Sequence, residues 1–209
     1  MPELEKTNLD YCFPTPVMCH VWDDSDDLNQ ELRRVILAHE REQAGRSRSN
    51  VDGWHSQTGM LEWCGDAGKT VIERAGRMAN HASNLLLVAF GRQPAQFTWT
   101  FQAWANVNRA SHFNKTHTHP GATWSGTYYV DPGNSPANAD HGTPLQLIDP
   151  CLVRDSAFFP GLIRTSVYVQ PSPGMMIIFP SYVPHMVFAH RGDRPRISIA
   201  FNLRKEPYP

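Results

Sequence analysis

The chain has 209 residues, with 19 Lys plus Arg against 20 Asp plus Glu and a formal net charge of −1. That balance excludes a domain held to nucleic acid by phosphate attraction, a polyacidic tail and a polybasic membrane patch. A hydrophobic fraction of 41% with 11% aromatic residues is ample for a packed core, and the length suits one domain.

The N-terminus, MPELEKTNLDY, is polar and acidic, without the basic and apolar regions of a secretory signal. No apolar run approaches the roughly 18 residues that span a bilayer. The expectation is a cytoplasmic protein. Cys12, Cys19, Cys64 and Cys151 are scattered and form no Cys-x-x-Cys pair, so they read as free thiols rather than a disulfide scaffold or a zinc ribbon.

Residues 27–44 read as a helix. Asp27 and Gln30 resemble a capping box, and Leu28, Leu32, Val35, Ile36 and His39 fall at helical spacing before Gly45. A second helix is expected from about Gly68 to Val88, with Val71, Ala75, Met78, Ala82 and Leu85 as its apolar stripe. Gly65–Thr70 looks superficially like a phosphate-binding loop. Trp63 stands where such a loop needs its first glycine, and no apolar strand precedes it, so the segment reads as a loop entering the helix.

After Pro94 the period changes to two. Phe97, Trp99, Phe101, Ala103, Ala105 and Val107 alternate with polar residues or Trp104, which makes Gln96–Asn108 a half-buried strand. Further strands are expected at Trp124–Val130, Pro144–Ile148, Thr165–Val169, Met175–Phe179, His185–Ala189 and Arg196–Leu203, separated by Gly- and Pro-rich turns. The fold class expected is mainly β, an antiparallel barrel or jelly roll with helices on its outer face. One domain is expected, with a helical region over 1–94 and a β core over 95–209. Two long loops, Asp131–Thr143 and Cys151–Arg164 with Phe158, Phe159 and Pro160, are candidate lids that help to select a substrate.

Three late segments carry chemistry. His117 and His119 alternate, so on a strand they face one side. The apolar run Gly174–Pro180 leads to His185 at a sheet edge. In Arg196–Asn202 the residues Arg196, Ser198, Ala200 and Asn202 share one face, and Ile197, Ile199 and Phe201 the other. A cationic, hydroxylated face inside a β barrel is unfavourable unless it meets an anion. Arginine offers a fork that matches a carboxylate bidentately, and serine adds a hydrogen bond.

His117-Thr118-His119, His185 and Arg196-Ile197-Ser198 resemble, in order and spacing, the signature of the Fe(II)- and 2-oxoglutarate-dependent oxygenases. Within that superfamily the chain resembles a group of bacterial and phage oxygenases. Its Phe-Pro-Thr-Pro, Gly-Trp-His-Ser, His-x-His-Pro-Gly and Arg-Ile-Ser-Ile-Ala-Phe-Asn elements match Phe13–Pro16, Gly53–Ser56, His117–Gly121 and Arg196–Asn202. The resemblance implies a double-stranded β-helix, the jelly-roll variant of that superfamily. It implies Fe(II) as metal, 2-oxoglutarate as cosubstrate, and O₂ and a small-molecule substrate as partners. It implies His117, His119 and His185 as metal ligands, with Arg196, Ser198 and Asn106 at 2-oxoglutarate.

One position departs from the superfamily's pattern of two histidines and a carboxylate, because His119 stands where the carboxylate is usual. Three readings follow. His119 itself ligates; or Asp149 or Asp140 completes the site; or the site has two protein ligands or holds another metal. Asn106 is either a 2-oxoglutarate contact or a satisfied interior amide. One of Tyr128 and Tyr129 is expected to point inward for packing. His112, His141 and His190 read as loop residues, and His20, His39, His55 and His81 as structural or exposed.

The function expected is hydroxylation of a small or amino-acid-like molecule, coupled to decarboxylation of 2-oxoglutarate to succinate. The alternatives are a cupin-like three-histidine dioxygenase that works without 2-oxoglutarate, and a non-catalytic metal- or ligand-binding barrel. No nucleic-acid or membrane partner is expected, and a homodimer is compatible with the aromatic loops.

Overall fold

The computed structural model describes residues 14–134, 143–151 and 164–206. In chain order the elements are β1 (Met18–Val21), α1 (Asp26–Glu42), β2 (Asn50–Val51), β3 (Trp54–His55), α2 (Met60–Trp63), α3 (Gly65–Ala89), β4 (Trp99–Asn108), β5 (Phe113–His117), β6 (Trp124–Asp131), β7 (Leu145–Ile148), β8 (Ser166–Val169), β9 (Met175–Pro180), β10 (His185–Val187) and β11 (Arg196–Lys205). They form a six-stranded sheet, β1-β9-β6-β11-β4-β3, and a five-stranded sheet, β2-β5-β10-β7-β8. Neighbouring strands in both are antiparallel.

Strand alternation divides the core into two layers. On the outer face of the large sheet, Ala103, Ala105 and Val107 of β4, Tyr128 of β6, Met176 and Ile178 of β9, and Ile197, Ile199 and Phe201 of β11 pack against Leu32 and Ile36 of α1 and Val71, Ala75 and Met78 of α3. On the inner face Tyr129, Ile177 and Phe179 meet Leu145 and Leu147 of β7 and Val187 of β10, so the two sheets face each other across an apolar layer. Each Val, Leu, Ile, Phe or Met among them contributes roughly 1.5–3 kcal/mol on burial. This is the expected jelly roll with helices on one outer face. Tyr128 and Tyr129 point opposite ways but both are buried. The Tyr128 hydroxyl donates to Asn29 Oδ1 at 2.7 Å, so it tethers the sheet to α1.

Several local expectations change. α1 begins after Ser25, and no side chain caps it. The Ser25 hydroxyl instead donates to the Trp22 carbonyl and accepts from Arg74 Nη1 at 3.1 Å. α1 ends before Gly45 because Trp54 Nε1 takes the Gln43 carbonyl at 3.0 Å. Gly65–Thr70 is the first turn and a half of α3, not a loop; Gly65, at φ +57°, separates it from α2. Leu85 is 52% exposed, because the last turns of α3 run past the sheet. Four strands were not expected, β1, β2, β3 and β5, and the first three lie before residue 95. Among the described residues no helix is long and apolar enough to cross a membrane. Cys19, Cys64 and Cys151 are free thiols. Phe13 and Cys12, the Asp140 and His141 part of the first long loop, and Phe158, Phe159 and Pro160 of the second lie outside the described residues.

Candidate active site

The inner face of β11 supplies the anion-seeking side. Arg196 stands opposite Asn108, and Ser198 opposite Asn106. Arg196 is 2% exposed. Its Nη1 donates to Ser198 Oγ at 3.2 Å, and its guanidinium lies 5.1 Å from the Tyr129 ring centroid. Its Nε has no partner, and it pairs with no carboxylate among the described residues. Burial pulls its pKa below the usual arginine range. A buried cation without a counter-ion is unfavourable by several kcal/mol, so this geometry suits an incoming carboxylate. Asn106 lines the same cavity, and its side-chain amide makes no hydrogen bond among the described residues.

The small sheet supplies the donor side. β10 pairs with β5 so that His185 lies directly opposite His117. His119 follows β5, and its backbone N–H donates to the Ser181 carbonyl at 3.0 Å. One nitrogen from each of the three rings lies within 4.8 Å of the others. His117 Nδ1 lies 2.7 Å from the Lys115 carbonyl and His185 Nδ1 2.9 Å from the Val183 carbonyl. A carbonyl only accepts, so both Nδ1 atoms carry the proton and each Nε2 keeps its lone pair, which at His117 faces the Ser49 hydroxyl at 3.4 Å. Burial, reinforced by the neighbouring imidazoles, depresses the pKa of His119 to about 4 and of His185 to about 3. Burial likewise lowers that of His117. Three neutral imidazoles suit Fe, Zn, Cu or Ni, so this donor set fits the Fe(II) that the resemblance implies without choosing it over the others.

His117, His119 and His185 therefore come together on one wall, and Arg196, Ser198 and Asn106 line the same cavity from the other. Asp149 is not in this group; it follows β7 and accepts from the Cys151 N–H at 2.8 Å. The other carboxylate candidate, Asp140, lies outside the described residues. His112 Nδ1 accepts from the Arg109 N–H, and His190 is held between Thr143 and the Arg194 carbonyl, so both are structural. His55 was expected to be structural or exposed, and sequence reasoning gave it no place near the site. It is buried, stacks on Trp104 with centroids 5.3 Å apart, and lines a cleft beside His117 and His119. Trp104 also packs on His119 at 5.7 Å. The Gly53–Ser56 element was the available signal, but two-residue strands carry no periodicity.

Residues 102–202 match a family model described as "Putative 2OG-Fe(II) oxygenase". No curated protein matches the sequence. Among solved structures, a Pseudomonas putida prolyl-4-hydroxylase is similar over 92% of this chain and 94% of its own, with TM-score 0.62 and 16% identity. A Trichoplax adhaerens prolyl hydroxylase, solved with a hypoxia inducible factor peptide, is similar over 90% and 83%, with TM-score 0.64 and 15% identity. AviO1 from Streptomyces viridochromogenes Tue57 is similar over 93% of each chain, with TM-score 0.61 and 12% identity. At these identities the likeness is one of fold.

Proposed function

We propose that this chain, whose residues 102–202 match a family model of 2OG-Fe(II) oxygenases, is an enzyme of that kind, uses Fe(II) and 2-oxoglutarate, and hydroxylates a small or amino-acid-like molecule. His117, His119 and His185 hold the iron, and Arg196, Ser198 and Asn106 receive 2-oxoglutarate. Bound Fe(II) and 2-oxoglutarate together supply the oxidising chemistry, as cofactors generally do.

The chain's own residues do the rest. The Lys115 and Val183 carbonyls fix the tautomers of His117 and His185, so that Nε2 of each faces the metal. Arg196 and Ser198 take the far carboxylate of the cosubstrate, and the buried Tyr129 ring beneath the guanidinium keeps that end dry. The observation that carries the reading is this uncompensated, buried Arg196 in one cavity with three neutral histidines.

Anaerobic titration of 2-oxoglutarate into the Fe(II)-loaded protein tests it, by the visible charge-transfer band of the iron chelate. A saturable band is expected. His185→Ala should lose the metal, and Arg196→Ala should weaken 2-oxoglutarate binding by about 2–5 kcal/mol. Full turnover in either variant overturns the assignment. The third imidazole, in place of a carboxylate, favours a second reading: a three-histidine dioxygenase in which Arg196 clamps a substrate carboxylate directly. Bound iron with no band, and O₂ consumption independent of 2-oxoglutarate, would establish that reading instead.

A further inference from the structure

We propose that the cleft on the outer side of the three histidines binds the oxyanion, carboxylate or phosphate, of an anionic small-molecule substrate, through Arg46, Arg48 and Lys115. This rests on the reading above, since it makes the cleft the substrate mouth of that same site. His117, His119 and Trp104 line both the inner cavity and this cleft, so a molecule seated in the cleft lies against the metal-binding wall. The cleft encloses about 480 Å³, within the ordinary range for a small-molecule site.

Its charge is one-sided. Arg46, Arg48 and Lys115 all line it, and no aspartate or glutamate does among the described residues. None of the three pairs with a carboxylate among the described residues, whereas nearby Arg109 is paired with Glu40. For a chain of net charge −1 this is a local segregation, not a reflection of composition. Charges of one sign in a concave site focus the field and attract the opposite ion, and guanidinium forks match carboxylate and phosphate oxygens. The histidine wall adds no negative charge, because the position that holds a carboxylate in related enzymes is His119. An anion approaching the metal is therefore not repelled by the ligand set.

The backbone that carries the cations is also held in place. The Arg46 N–H donates to the His55 carbonyl at 2.8 Å and the Lys115 N–H to the Ser49 carbonyl at 2.9 Å, which fastens the 46–49 loop between β3 and β5. The Arg48 N–H donates to Asn50 Oδ1 at 2.7 Å. Arg46 and Arg48 line the cleft together with His55, and burial first, then their charges, hold His55 below its usual pKa. The Trp104–His55 stack, 8° from parallel, offers a flat wall for the uncharged body of the substrate.

Amide NMR shifts of the ¹⁵N-labelled full chain, loaded with Zn(II), test the inference. 2-Oxoglutarate is added first, to saturation. A missing saturable shift at the Arg196 and Ser198 amides overturns the oxygenase reading itself. Inorganic phosphate and acetate are then titrated separately, at ionic strength held constant with chloride. Saturable shifts at residues 46–49, His55 and Lys115 are expected. Tighter phosphate binding identifies a phosphorylated substrate, and equal or tighter acetate binding a carboxylate. The Arg48→Gln/Lys115→Gln variant, changed at two exposed side chains, should bind the anion about tenfold more weakly. Arg92→Gln, an exposed cation outside the cleft, should bind it as before. No saturable shift in the cleft, undiminished affinity in the double variant, or an equal loss in Arg92→Gln overturns the proposal.

Discussion

His185, His119 and His117 are neutral in the folded protein well below the pH at which a free imidazole takes a proton, chiefly because they are buried. In the metal-free protein their folded pKa values lie under the ordinary 6.5, so the unfolded chain binds protons first as pH falls. Stability from these groups is whole above pH 6.5 and drains away between 6.5 and about 3. The melting temperature of apo protein should therefore drop across that window, and drop less in His185→Ala. Equal slopes for the two proteins would show that the imidazoles are not the titrating groups. His117, His185 and Arg196 were legible through the order and spacing of the motifs that carry the resemblance, although His117 ends β5, a strand that no periodicity announced. The environment of Arg196 was legible too, since alternation alone put it inside. The cationic cleft was not legible, because Arg46, Arg48 and Lys115 are brought together by the pairing of β2 with β5, two short strands that leave no pattern.

Among the elements, β6 is the most constrained. It runs between β9 and β11, with Gly126 opposite Phe201 on the helix-facing side. A Cβ built at Gly126 would stand 2.4 Å from the Ile177 carbonyl and 2.6 Å from the Phe201 ring. Backbone cannot yield there without breaking the pairing of β6 with β9. Gly126→Ala should therefore destabilise the protein by about 3 kcal/mol or more, at the upper end of overpacking. Urea denaturation checks this, and a loss below about 1 kcal/mol would mean that the six-stranded sheet is looser around β6 than the geometry implies. The long strands β4 and β11 were readable because one face is apolar and the other largely polar, and β9 because it is a continuous apolar run between turns. Element ends were less readable. Tertiary partners decide them: Trp54 closes α1 and Gly65 opens α3, and neither effect is local to the helix pattern.

At the scale of the molecule the two halves of the site belong to different sheets. His117 and His185 are on the five-stranded sheet, while Arg196, Ser198 and Asn106 are on the six-stranded one. A dicarboxylate that meets the metal at one end and Arg196 at the other would therefore tie the sheets together across the cavity, whose lining also takes in Leu145, Phe179 and Val187 of the apolar layer. Its two ends are coupled: without a metal the histidine wall offers no cation, and without Arg196 the far carboxylate has no counter-charge. 2-Oxoglutarate should thus raise the melting temperature of Zn(II)-loaded protein by roughly 5–10 °C at about 100 times its Kd, and hardly at all without metal. In Arg196→Gln the increment from Zn(II) should persist and the further increment from 2-oxoglutarate should vanish. Differential scanning fluorimetry of the four combinations measures this. An equal 2-oxoglutarate increment with and without metal would mean that the cosubstrate does not span the sheets, and the joint placement of the histidines and Arg196 would need another ligand to explain it.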